Sequence, residues 1–148
     1  MNIKCKAMCV FFNEGTILVQ EGIDTHSGSS YYRPLGGSIE FGEYSRETII
    51  REIKEEISAE ITLPVFLGVL ENVFLFEGEQ CHEIIFIYDA RFADNRLYNK
   101  ESIYGLEADG SEIVGVWKKL DQFDSDTRLV PAGLAELLSQ GNRARSSV

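Results

Sequence analysis

"LGGSIEFGEYSRETIIREIKEEISAEI", residues 35–61, is the stretch on which the reading of this chain turns. It holds seven glutamates against three basic residues. From about Ser45 to Ile57 it has neither glycine nor proline and reads as a helix. At ~100° per residue, Ile49, Ile50, Ile53 and Ile57 share an arc of about 100°, a core-facing stripe. Glu52, Glu55 and Glu56 fall in a neighbouring arc of similar width, beside the core and not opposite it. Spacings of three and four residues make these like-charge pairs, each unfavourable by a few tenths of a kcal/mol. Acid in a last helical turn also opposes the helix dipole. Arg51 and Lys54 are expected on other flanks, offsetting this only in part. Two readings are open at this point. One is a solvated acidic face. The other is a preformed site for a divalent cation such as Mg2+ or Mn2+, whose preferred ligands are hard oxygens.

The loop before the helix favours the second reading. Gly36 and Gly37 permit a sharp bend and close backbone approach to a ligand, and Gly42 follows. From Gly37, five residues lead to Glu43 and seven more to Arg51-Glu52. Then come Ile53, one residue, and Glu55-Glu56. This spacing resembles the Nudix box, G-x5-E-x7-R-E-U-x-E-E-x-G-U, with U a bulky aliphatic. Gly37, Glu43, Arg51, Glu52, Ile53, Glu55 and Glu56 match. Ser58 stands where the pattern has glycine, and Ala59 where it has a bulky aliphatic. The loop "YRPLGGSIEFGE" is also similar to that of a MutT-like bacterial group.

The resemblance implies an α/β (α+β) Nudix fold, a mixed sheet sandwiched between helices, with residues 1–148 as one domain. It implies hydrolysis of the pyrophosphate bond in a nucleoside diphosphate linked to another moiety, with Mg2+ or Mn2+ as cofactor. The cation would be held by Glu52, Glu55, Glu56 and the Gly36 carbonyl, with Arg51 and Glu43 orienting the carboxylates. Glu56 is the first choice as general base. Glu112, at the start of a later strand, is the best downstream candidate for a further metal ligand or base, with Glu101 and Glu107 in the same loop. Arg33, Tyr32 and His82 are candidates for substrate contact, and Tyr31 could stack on a base. The alternative is a catalytically silent nucleotide-binding or sensor module on the same fold. Such modules usually lose box glutamates, and this chain keeps them all. A homodimer is compatible with the family.

Around the box, "IKCKAMCVFF" and "TILVQEG" read as strands joined at "NEG", residues 13–15. "IDTHSGSSYYRP" reads as a polar loop. "ITLPVFLGVLENVFLFEG" and "CHEIIFIYDARF" read as strands around a turn at "EGEQ". Residues 93–112 read as a long loop, "IVGVWKKL" as a strand, and "PAGLAELLSQG" as a closing helix with Pro131 in its first turn and Gly141 at its stop.

The chain has 148 residues and a formal charge of −10. That charge disfavours extended nucleic acid, whose phosphates call for clustered Lys and Arg. A small phosphorylated substrate stays compatible, because a bound cation inverts the local field. Three cysteines, Cys5, Cys9 and Cys81, form no C-x-x-C pair, so free thiols are expected. No leader peptide and no membrane span is read, and a cytoplasmic location is expected.

Overall fold

A computed structural model describes the backbone of residues 1–146 and the side chains of residues 1–140. In chain order the strands are β1 (Ile3–Val10), β2 (Phe12–Asn13), β3 (Thr16–Ile23), β4 (Ser30–Arg33) and β5 (Leu35–Ser38). Helix α1 (Ser45–Ile57) follows. Then come β6 (Ile61–Phe76), β7 (Glu79–Phe92), β8 (Ser102–Leu106), β9 (Glu112–Lys119), β10 (Arg128–Leu129) and helix α2 (Leu134–Ser146).

Two sheets result. One has the order β5-β1-β7-β6, with β1 and β7 parallel and the other pairs antiparallel. The other has the order β10-β4-β3-β9-β8, with β2 added to β3. In it β10 and β4 run parallel. The expected α+β class with mixed sheets is therefore what the chain forms.

Alternation along β1 explains the layering. Ala7 and Cys9, with Phe11 just beyond the strand, enter one core with Ile49 and Ile53 of α1. Met8 and Val10 enter the other core with Leu134 and Leu138 of α2. Successive strand residues point to opposite faces, so one strand feeds both cores. Phe11 and Phe92 stack in the first core with ring centroids 3.9 Å apart. All three cysteines are free, with Cys9 fully buried.

Two hairpins use Glu-Gly turns. Glu14 and Gly15 have φ of 49° and 81°, and Glu77 and Gly78 have 53° and 77°. Positive φ at both positions gives the turn a twist that matches its flanking strands.

The segments read as loops need correcting. The polar stretch before the glycines contains β4, and the glycine turn itself is β5, zipped antiparallel to β1. Residues 93–112 hold a short 3-10 helix, Asn95–Asn99, and the strand β8. The closing helix begins at Leu134, after Pro131, and continues past Gly141 to Ser146. Backbone pairing decides these segments, and side-chain composition does not report it.

Candidate active site

Helix α1 starts and ends where the sequence places it, at Ser45 and Ile57. At its entry the Tyr44 amide donates to the Glu47 carboxylate at 2.9 Å, which satisfies a free helix N–H. At its exit Ser58 adopts left-handed geometry, φ 55°, and its amide donates to the Lys54 carbonyl at 3.0 Å. Ser58 thus occupies the conformation that glycine takes most easily. Ala59 is buried in the α1 core, a place for a small side chain.

Arg51 is the hub of the helix surface. Its Nε and Nη2 donate to the two Glu43 oxygens at 2.7 and 2.9 Å. Its Nη1 donates to Glu52 at 2.9 Å and Glu55 at 3.2 Å, and Nη2 also reaches the Ser38 carbonyl at 3.1 Å. Arg51 was expected on another flank, but its long side chain reaches back across the turn. Thr48, fully buried, adds a hydroxyl donor to Glu43 at 2.6 Å. Together the Arg51 and Thr48 donors hold the Glu43 carboxyl down to about 2.

The carboxylates do not share one environment. Glu55 is exposed. Glu52 lies against Gly37 so closely that a Cβ there would sit 2.3 Å from the Glu52 carboxyl carbon. Its pKa is raised, first by burial and then by Glu55 and Glu107, with Arg51 opposing. Glu56 belongs to the buried stripe with Ile49 and Ile53, at 4 % exposure. Both its oxygens are shielded from solvent and lack a hydrogen-bond partner among the described residues. Burial pushes the Glu56 carboxyl up to about 8, reinforced by Glu107 and Glu52 and opposed by Arg33 and, weakly, by the nearby Gly36 backbone.

Two glycines bring the remaining pieces in. Gly36 lies opposite Met8 in the β1–β5 ladder, and a Cβ there would sit 2.1 Å from the Ala7 carbonyl. Gly105 of β8 lies against the last turn of α1, where a Cβ would be 2.1 Å from the Glu56 carbonyl. That approach carries Glu107, just past β8, to Glu56. Arg33 pairs with Glu107 at 3.6 Å. These two open onto a cleft of about 500 Å3 whose lining includes Gln20, Glu21, Asp109 and Glu112.

Of the residues singled out from sequence, Gly36, Glu43, Arg51, Glu52, Glu55, Glu56 and Arg33 come together here. Glu112 lines the cleft, but the charge that acts most strongly on Glu56 is Glu107. Tyr32 donates its hydroxyl to Glu21 at 2.7 Å and carries Lys118 over its ring. Tyr31 packs across Gly22 and meets Phe76 edge-on. His82 lies elsewhere. Met8, opposite Gly36, is level with Ile87 on β7, and His82 is five residues further along, roughly 17 Å at the usual strand rise. It pairs with Glu71 at 3.0 Å. Glu101 is exposed just before β8. Gln20 and Gly105 escaped the sequence reading. Their signals were a polar residue at an inward strand position, two after Leu18, and a glycine inside a strand.

Among the described residues no three His, Cys, Asp or Glu side chains form a ready cage for a metal ion. Arg51 holds Glu52 and Glu55, and Glu56 turns inward. The donor set nonetheless fits Mg2+ or Mn2+. It is all oxygen, it contains an orphaned buried carboxylate, and Mg2+ usually takes one or two carboxylates and completes its shell with water and substrate phosphate.

The family model described as NUDIX domain matches residues 4–139. Among solved structures, the NUDIX hydrolase from Nitrosomonas europaea is similar over 97% of this chain and 90% of its own, with TM-score 0.68 and 14% identity. The MutT NUDIX hydrolase from Burkholderia pseudomallei is similar over 93% and 98%, with TM-score 0.65 and 22% identity. A protein described as ADP compounds hydrolase is similar over 99% and 77%, with TM-score 0.69 and 18% identity. At these identities the likeness is one of fold. No curated protein matches the chain in sequence.

Proposed function

Since this chain belongs to the Nudix family of hydrolases, we propose that it hydrolyses the pyrophosphate bond of a nucleoside diphosphate linked to a second moiety. The whole chain is read as one such domain. Water adds to one phosphorus, the bridging P–O bond breaks, and the products are a nucleoside phosphate and the phosphorylated second group. The observation that carries this reading is Glu56. A buried carboxyl with both oxygens unpartnered costs several kcal/mol unless something compensates it. A catalytic cation and a reacting water are what such a group is suited to meet.

Glu52, Glu55, Glu56 and the Gly36 carbonyl would hold Mg2+ or Mn2+. When bound, the cation would neutralise phosphate charge and acidify the attacking water. The chain's own residues do the rest. Arg51, tied to Glu43, fixes Glu52 and Glu55 on the helix flank. Glu56 accepts the proton of the attacking water at a carboxylate oxygen. Glu107 sets the charge opposite Glu56, and Arg33 offers a guanidinium to phosphate.

The test is product release from NTPs, ADP-ribose, NADH, dinucleoside polyphosphates and nucleotide sugars, each with Mg2+ and with Mn2+. Turnover of at least one class, abolished by chelator, is expected. No turnover across all of them contradicts the reading.

A further inference from the structure

We infer that an open face of the β1–β7–β6 sheet is the surface on which two copies of this chain pack into a twofold dimer. Register defines the face. Ala7, Phe86 and Val69 are partners across β1, β7 and β6, as are Cys5, Ile84 and Glu71, and then Ile3, His82 and Val73. Residues matched in register, or two apart along a strand, point to one side of a sheet. All nine therefore share the side on which α1 lies. The helix covers the Ala7 corner, where Ala7 is fully buried with Ile49 and Ile53. Beyond it the face is open. Cys5 is exposed. Ile3, Val69 and Val73 are 47 to 57 % exposed. On the same side of β6, Phe66 and Leu75 are 52 % and 75 % exposed. Phe66 is placed there by its contacts with the Phe86 and Tyr88 rings.

Charge and size name the occupant. The chain carries −10, yet these nine residues include one acid, Glu71, and no Lys or Arg. Glu71 stands on the outermost strand, where it pairs with His82 at 3.0 Å and keeps its access to water. An apolar centre with a polar rim is the composition of an interface. A basic partner would find a single carboxylate to hold. An anionic membrane surface repels so acidic a chain. A second copy brings the same uncharged rows, and a twofold contact sets them against themselves. Three strands about 4.8 Å apart and six residues at about 3.3 Å each span roughly 14 by 20 Å. With side-chain relief that is on the order of 400–500 Å2 per copy, or about 1,000 Å2 for the pair, the lower end of specific association.

The experiment is sedimentation of the full chain over a range of concentrations. Mass should rise from 16.7 kDa towards twice that, with half-association at about 10–100 µM, the weak range that suits so small an interface. Val73→Glu, checked for unchanged melting, sets carboxylates against each other in the contact and should weaken association by about 10-fold or more. Tyr104→Glu, at an exposed position on the other sheet, should leave it unchanged. In the unaltered chain, maleimide labelling of Cys5, followed by mass spectrometry, should slow several-fold from dilute to concentrated protein. Labelling of Cys81, whose register partner is Phe74 on the opposite face, should not. A single 16.7 kDa species at every concentration, a dimer that Val73→Glu leaves intact, or Cys5 labelling indifferent to concentration would overturn the inference. No substrate enters either measurement, so the result is independent of the hydrolase reading.

Discussion

Arg51 holds Glu43 in a two-pronged grip, Nε to one carboxylate oxygen at 2.7 Å and Nη2 to the other at 2.9 Å. The pair ties the loop before α1 to the middle of the helix, eight residues on. Lysine cannot reproduce the fork. Arg51→Lys should cost about 1–2 kcal/mol of stability, the scale of charge-assisted hydrogen bonds, and lower kcat more than it raises KM. Chemical denaturation and steady-state kinetics on one preparation check both. The pH sign also follows. Glu43 is held down to about 2 from an ordinary 4.5. Its contribution is present above about 4.5 and is lost as pH falls through 2. Glu43→Gln should therefore flatten the acid limb of the stability curve.

Glu56 predicts the opposite slope. Its folded value is pushed up to about 8 from an ordinary 4.5. The metal-free folded state thus keeps a proton that the unfolded chain has lost. The contribution is full below about 4.5, declines as pH rises, and is gone once pH passes 8. In chelator, the wild-type denaturation midpoint should fall between pH 5 and pH 8 relative to Glu56→Gln. Adding Mg2+ at pH 7 should release protons from the wild type and none from the variant, as a pH indicator in weak buffer would show.

Ser58 sits at φ 55° where the family pattern has glycine. A left-handed residue with a Cβ is strained by about 1 kcal/mol. Ser58→Gly should raise the melting temperature by several degrees with little change in turnover. Differential scanning calorimetry decides it.

Gly37 and Gly105 should respond differently to alanine. At Gly37 the new Cβ meets the Glu52 carboxylate, the far end of a flexible side chain. Gly37→Ala should displace that group, cutting activity while sparing most of the stability. At Gly105 it meets the Glu56 backbone carbonyl, which cannot swing aside. Gly105→Ala should push β8 off the helix, lower stability by about 2 kcal/mol or more, in the range of core overpacking, and move Glu107 away from Glu56. Melting curves beside activity separate the two cases.

The helix was legible because its period, its lack of breakers and the fixed spacing of its acids all agree. Its boundaries follow from that local pattern, and the Arg51–Glu43 pairing from the resemblance to the Nudix box. Glu56 was harder. The helical projection set it beside the core, and its burial also needs strands packed along that flank, among them β8, which comes against the last turn of α1 at Gly105. The strands β4, β5 and β8 were hidden because glycines, serines and tyrosines pair through backbone groups that composition does not reveal. Glu107 was one acid among several in a supposed loop until the pairing of β8 with β9 fixed its place. Gln20 was one polar residue in a strand until the pairing of β3 with β4 and β9 set it at the cleft beside Arg33.

The most direct measurement compares wild type with Glu56→Gln on the best pyrophosphate substrate, with Mn2+ affinity determined for both. The account predicts that the variant stays folded, melts at or above the wild-type temperature in chelator at pH 8, binds Mn2+ more weakly, and loses turnover by 100-fold or more, the scale of general-base catalysis. A folded Glu56→Gln protein that turns over at the wild-type rate would contradict it.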